Sequence, residues 1–161
     1  MILSKIKTPK ALKAIIADCK RRSKRVAFTN GCFDILHYGH VKYLEDARKK
    51  ADLLIVAANS DASVKRLKGP KRPLCLLKDR MRVLAGLSSV DYVVSFNEDT
   101  PFEIIKYLKP DILIKGADYK AKDIVGSDVV KSYRGTVSRV SYLKGFSVTS
   151  LINKIARRYG K

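Results

Sequence analysis

The only two histidines of the chain, His37 and His40, fall three residues apart in the segment Asn30-Gly31-Cys32-Phe33-Asp34-Ile35-Leu36-His37-Tyr38-Gly39-His40. Residues 25–29 ahead of it are rich in β-branched and aromatic types. Behind it, Val41, Leu44 and Ala47, with Tyr43 and Ala51, form an apolar stripe at helical spacing. A strand, a glycine-containing loop and a helix start in succession make a phosphate cradle, because free backbone N–H groups and the positive end of the helix dipole favour an anion. Two imidazoles placed there add donors that can carry a proton, and their ordinary pKa near ~6.5 would rise against a polyphosphate. The arrangement suits a triphosphate under attack. The same residues could serve a second chemistry, a zinc site of His37, His40 and Asp34, but no cysteine pair or further ligand follows at metal-site spacing.

The elements that must position this segment are legible in outline. Thr8 followed by Pro9 reads as an N-cap with proline at the first helical position, and Leu12, Ile15, Ile16 and Cys19 give that helix one apolar face to lay on a sheet. Strand-like runs follow at 25–29, 53–58, 92–95, 112–114 and 136–140, with helical segments between them. Such alternation predicts an α/β fold with a mainly parallel sheet covered on both faces. At 161 residues the chain is one domain's worth, read as an N-terminal helical segment over 1–24 and a core with its C-terminal helix over 25–161.

Composition narrows the classes. Three cysteines without a C-x-x-C pair argue against a disulfide framework and for a reducing compartment. The longest apolar run, 53–58, is too short to span a bilayer, and Lys5 and Lys7 interrupt any signal-peptide core, so a cytoplasmic protein is expected. The 34 Lys and Arg against 15 Asp and Glu leave a net charge of +19. That balance raises an RNA-binding reading, yet the cations are scattered and no nucleic-acid motif accompanies them; a solvated basic surface that steers phosphorylated reactants is favoured.

Four more blocks accompany the histidine segment in order: Asn59-Ser60-Asp61-Ala62-Ser63-Val64-Lys65-Arg66-Leu67-Lys68-Gly69; Val90-Asp91-Tyr92-Val93-Val94-Ser95-Phe96; Glu98-Asp99-Thr100-Pro101; and Lys115-Gly116-Ala117-Asp118-Tyr119-Lys120. Together they resemble the nucleotidyltransferase superfamily that carries His-X-Gly-His, in its cytidylyltransferase-like branch. That branch includes glycerol-3-phosphate cytidylyltransferases and the adenylyltransferases that make ADP-heptose from D-glycero-β-D-manno-heptose 1-phosphate, and the four blocks favour the latter. The resemblance implies a Rossmann-like, doubly wound parallel sheet of five strands in the order 3-2-1-4-5. In such a sheet ligands bind where the order reverses, beyond the carboxyl ends of the first and fourth strands.

What the resemblance implies for residues is specific. His37 and His40 contact the triphosphate and stabilise the transition state, with Lys68 as the catalytic lysine. Thr29, Asn30, Gly31 and Phe33 shape the nucleotide cradle, and Gly39 lets the helix start approach the nucleotide. Asp118 lies near nucleotide and metal, and Ser147, Thr149 and Ser150 offer hydroxyls to the triphosphate. Lys65, Arg66 and Arg80 bind the phosphate of the acceptor, and Asp34 orders the loop, caps the helix or helps hold Mg²⁺. Two departures stand out: Ala117 replaces a usual glycine and Val148 a usual threonine.

The implied reaction is attack by a sugar-phosphate oxygen on the α-phosphorus of ATP, with Mg²⁺, releasing pyrophosphate. A phosphate monoester is already largely ionised at neutral pH, with a second pKa near ~6, so alignment and charge stabilisation matter more than a general base. The resemblance further implies a homodimer and an acceptor made by a separate heptose kinase and phosphatase. Two readings stay open beside it: a cytidylyltransferase using CTP and glycerol 3-phosphate, and an RNA-binding module on the same scaffold.

Overall fold

A computed structural model describes residues 1–117, 124–143 and 145–160. The elements in chain order are α1 (Pro9–Arg21), β1 (Val26–Gly31), α2 (Tyr38–Arg48), β2 (Leu53–Asn59), α3 (Asp61–Lys68), α4 (Leu77–Gly86), β3 (Tyr92–Phe96), α5 (Phe102–Leu108), β4 (Ile112–Gly116), α6 (Ser127–Ser132), β5 (Thr136–Val140) and α7 (Val148–Tyr159). The strands form one parallel sheet in the order β3-β2-β1-β4-β5, the order expected.

The central strands are apolar at almost every position because both of their faces are covered. On one face Leu54, Val56, Ile112 and Ile114 pack with Leu44 and Ala47 of α2 and Leu84 of α4. On the other, Phe28, Ile55 and Leu113 pack with Leu12 and Ile16 of α1, Ile105 of α5 and Val130 of α6. Register follows the same logic: Phe28 is paired with Ile55 on one side and Leu113 on the other.

Local signals set several boundaries. Thr8 Oγ accepts from the Ala11 N–H at 3.2 Å and Pro9 opens α1, as its sequence predicts. β1 runs two residues past the expected 25–29 run, because Asn30 and Gly31 stay paired with Ala57 and Ala58 of β2. At the opposite, amino-terminal end of the sheet, carboxylates pin strand starts: Asp111 accepts from the Val26 N–H at 2.9 Å and Asp91 from the Leu54 N–H at 2.7 Å. Acidic side chains thereby pin the amino-terminal end of the sheet.

Candidate active site

A cavity of about 510 Å³ opens beyond the carboxyl ends of β1 and β4, at the reversal of strand order. Asn30, Gly31 and Phe33 from the end of β1 line it with His40 of α2, Lys68 of α3, and Val148 and Thr149 of α7. Phe33 holds a left-handed φ of 45°, a conformation that turns the chain sharply between strand and helix.

His37 is the N-cap residue of α2, and its ring stacks on that of His40 with centroids 3.9 Å apart and planes at 21°. Burial lowers the pKa of both rings, and in His40 burial and the neighbouring His37 together bring it to about 4. Both imidazoles are therefore neutral at neutral pH. Their Nδ1 atoms are buried and have no hydrogen-bond partner among the described residues. A proton placed on Nδ1 would be a buried, unsatisfied N–H, so the favoured tautomer carries it on Nε2, where it can be donated to a ligand.

Close approach is built in at Gly39. A Cβ there would lie 2.8 Å from the Phe146 Cβ and 3.1 Å from the His37 ring, so any side chain would separate the start of α2 from the segment that leads into α7. Ser147 Oγ caps α7 by accepting from the Ser150 N–H at 3.0 Å.

The structure redistributes several roles. Lys68 lines the cavity, whereas Lys65 is exposed outside its wall. Arg66 is turned away to Asp99 and the Asn97 carbonyl, so its guanidinium is occupied. Arg80, expected to bind phosphate, is 2 % exposed. Its guanidinium donates to the carbonyls of Cys75 (3.0 Å), Asn59 (2.8 Å) and Cys32 and pairs with Asp61 at 2.8 Å. It is a brace under the site, with four of its five N–H donors spent on the fold. Of the roles open to Asp34, ordering the loop, capping the helix or helping to hold Mg²⁺, its contacts are those of the first. Its carboxylate is buried and takes the Leu74 and Cys75 N–H groups at 2.8 and 2.9 Å and the Arg72 guanidinium, which makes it a loop anchor. Thr29 is fully buried with its hydroxyl bonded to Tyr43 at 2.8 Å, tying β1 to α2 beneath the cradle. Ser147 and Ser150 serve the cap and lie off the cavity wall, on which Thr149 remains. Asp118 lies outside the described residues. Ala117 takes no left-handed conformation and donates to the Val140 carbonyl at 2.9 Å, so no glycine is required there.

Two cations were not singled out as site residues by sequence. Lys115 is 8 % exposed at the end of β4, lines the cavity and donates to the Asn30 side chain. Burial pulls its pKa down to about 8. The signal was present: a lysine ending the apolar run Ile112-Leu113-Ile114 of a doubly covered strand has few places to go other than a site. Arg72 is the other, placed on the wall by its contact with Asp34. Cys32 also borders the cavity, but burial raises its thiol pKa, which disfavours a thiolate nucleophile.

Among the described residues no group of three His, Cys, Asp or Glu side chains could hold a metal ion, so the zinc triad of His37, His40 and Asp34 is not assembled there. No helix of the described residues is long and apolar enough to cross a membrane.

The profile of the Cytidylyltransferase-like family matches residues 28–149, which contain the cradle, the histidine pair and the start of α7. The chain belongs to the cytidylyltransferase-like family. Similarity to curated relatives runs along nearly the whole chain. The bifunctional protein HldE of Syntrophotalea carbinolica is 52% identical over 156 residues, 97% of this chain and 32% of that protein. HldE of Campylobacter concisus is 54% identical over 151 residues, 94% of this chain and 31% of that protein. The chain thus spans about a third of the length of these relatives. Among solved structures, a lipopolysaccharide core biosynthesis protein from Thermoplasma volcanium is 27% identical with a TM-score of 0.63, covering 76% of this chain and 99% of that one. A pantoate-beta-alanine ligase from Francisella tularensis shares the fold at 15% identity, with a TM-score of 0.59 over 94% of this chain and 77% of that one.

Proposed function

We propose that this cytidylyltransferase-like domain transfers AMP from ATP to D-glycero-β-D-manno-heptose 1-phosphate, giving ADP-heptose and pyrophosphate. The observation that carries the reaction class is the stacked, neutral pair His37 and His40 at the start of α2, with His40 on the wall of a cavity that Lys68, Arg72 and Lys115 also line. Likeness to HldE along the chain, the lipopolysaccharide core biosynthesis neighbour and the four ordered sequence blocks support the heptose acceptor.

In this reading an acceptor phosphate oxygen attacks the α-phosphorus of ATP, the bond to the β-phosphate breaks, and its electron pair leaves with pyrophosphate. The Nε2–H groups of His37 and His40 donate to phosphate oxygens whose charge grows in the transition state, and Lys68 and Lys115 add positive charge around them. Mg²⁺ would come with ATP as part of the substrate and would offset part of the phosphate charge. The protein acts as a homodimer, and kinase and phosphatase chemistry supplies the acceptor.

Pyrophosphate release, measured for ATP and CTP against the heptose 1-phosphate and glycerol 3-phosphate, tests the proposal. Release with ATP and the heptose alone is expected. Release only with CTP or only with glycerol 3-phosphate would replace the substrates, and silence in all four reactions would overturn the reaction.

A further inference from the structure

With Arg66 and Arg80 turned to other work, the cation that completes the cavity wall stands on the segment between α3 and α4. Gly69 ends α3 with a left-handed φ of 95°, and the chain then returns along residues 70–76 past the cradle loop. What fixes this return is Asp34, whose side chain is fully buried. One carboxylate oxygen accepts the Leu74 and Cys75 N–H groups, and the other accepts Arg72 Nε.

The consequence for Arg72 is geometric. Its side chain is only 16% exposed and borders the cavity, and a bond at Nε to a buried, immobile carboxylate fixes the guanidinium plane. Nη1 and Nη2 have no acceptor among the described residues. A planar pair of N–H donors held this way, with the ordering entropy already lost, matches two oxygens of one phosphate group. Lys68, exposed on the same wall, brings a second positive charge to the same side. Phosphate is also what both reactants of the proposed reaction carry.

We infer that Arg72 is a phosphate-binding residue of this site and that Asp34 is its positioning residue, aiming the guanidinium by holding both Arg72 Nε and the backbone of residues 74–75. The inference rests on the proposed nucleotidyl transfer for the identity of the two reactants, the nucleotide and the sugar phosphate, and the experiment separates them.

Calorimetric titrations of the intact chain with Mg·ATP and, separately, with the heptose 1-phosphate are compared for wild type, Arg72→Met, Arg72→Lys and Asp34→Asn, with thermal melts as a control on folding. Arg72→Met is expected to weaken one of the two titrations by about tenfold to a hundredfold, the loss of charge-assisted hydrogen bonds, and to leave the other within about twofold. The weakened ligand names the phosphate that Arg72 holds. Arg72→Lys should restore part of the loss, since it returns the charge without the fork. Asp34→Asn should weaken the same ligand although the guanidinium is still present. Unchanged affinity for both ligands in Arg72→Met overturns the inference, as does equal weakening of both together with a lowered melting temperature, which would mean a collapsed pocket. A wild type that binds Mg·ATP yet releases no pyrophosphate with the heptose would sink the proposed reaction, while selective weakening of Mg·ATP binding by Arg72→Met would still support the role of Arg72.

Discussion

The imidazole of His40 lies against that of His37 at 3.9 Å, and burial together with that neighbour draws the His40 pKa down to about 4. Two imidazolium rings at this separation would repel, so the pair waits uncharged for an anion. An NMR titration of the free protein should show His40 neutral at pH 6 and a rise in its pKa when ATP binds. Because the folded-state value is below the unfolded one, the unfolded chain binds more protons between about pH 4 and 6.5, and stability should fall as pH is lowered through that window. A His40→Phe variant should lose much of that slope; an unchanged slope would assign it elsewhere.

Removal of a donor tests the same pair kinetically. His40→Ala should lower turnover by about a hundredfold or more with little effect on the melting temperature, because a preorganised donor acts on the transition state. Steady-state pyrophosphate release beside a thermal melt decides it, and near-normal turnover would remove His40 from the chemistry.

Arg80 should behave in the opposite way. Its truncation strands the Cys32, Asn59 and Cys75 carbonyls and uncouples Asp61. Arg80→Met should therefore cost more than about 2 kcal/mol in urea unfolding. A variant of full stability that fails only to bind acceptor would restore Arg80 to the phosphate site.

At Gly39 a single methyl is informative. The backbone there is helical, so Gly39→Ala adds no backbone strain, but its Cβ meets the Phe146 Cβ at 2.8 Å and must displace the entry to α7. Weaker ATP binding at nearly unchanged stability is expected from a titration and a melt measured together. Unchanged affinity would show that the cavity tolerates the displacement.

Lys115 ties affinity to alkaline pH. With its pKa lowered to about 8 by burial, it loses its charge between about pH 7 and 9. The KM for ATP should rise across that range in the wild type and stay flat in Lys115→Met; parallel profiles would show that the lysine does not meet the nucleotide.

Much of this was legible in the sequence for local reasons. Thr8-Pro9 and Ser147 act as caps through side chains within three residues of their targets, and the apolar strands follow from burial on both faces. His37 and His40 were legible because strand, glycine and helix start are contiguous. The strand order came from the resemblance. What was not legible depends on partners far along the chain. Charge alone cannot distinguish Arg80, sealed beneath the loops by three carbonyls, from Arg72, which faces the cavity. That distinction is made by Asp34, 38 residues from Arg72, and by Asp61. Arg66 is turned aside in the same way, by a partner, Asp99, lying 33 residues away.

Helix α7 supplies Val148 and Thr149 to the cavity yet buries none of its residues fully, and Ile155 and Tyr159 stand exposed. An element with so little buried surface is held by a small share of the fold's stability, so a nucleotide that meets Val148 and Thr149 is expected to seat it more firmly. Amide exchange over 148–159 should slow when ATP is added. Substitutions on the outer face of α7 then act as dials on nucleotide affinity without touching the nucleotide, and the tightness of this site is in part a property of how firmly its last helix is docked.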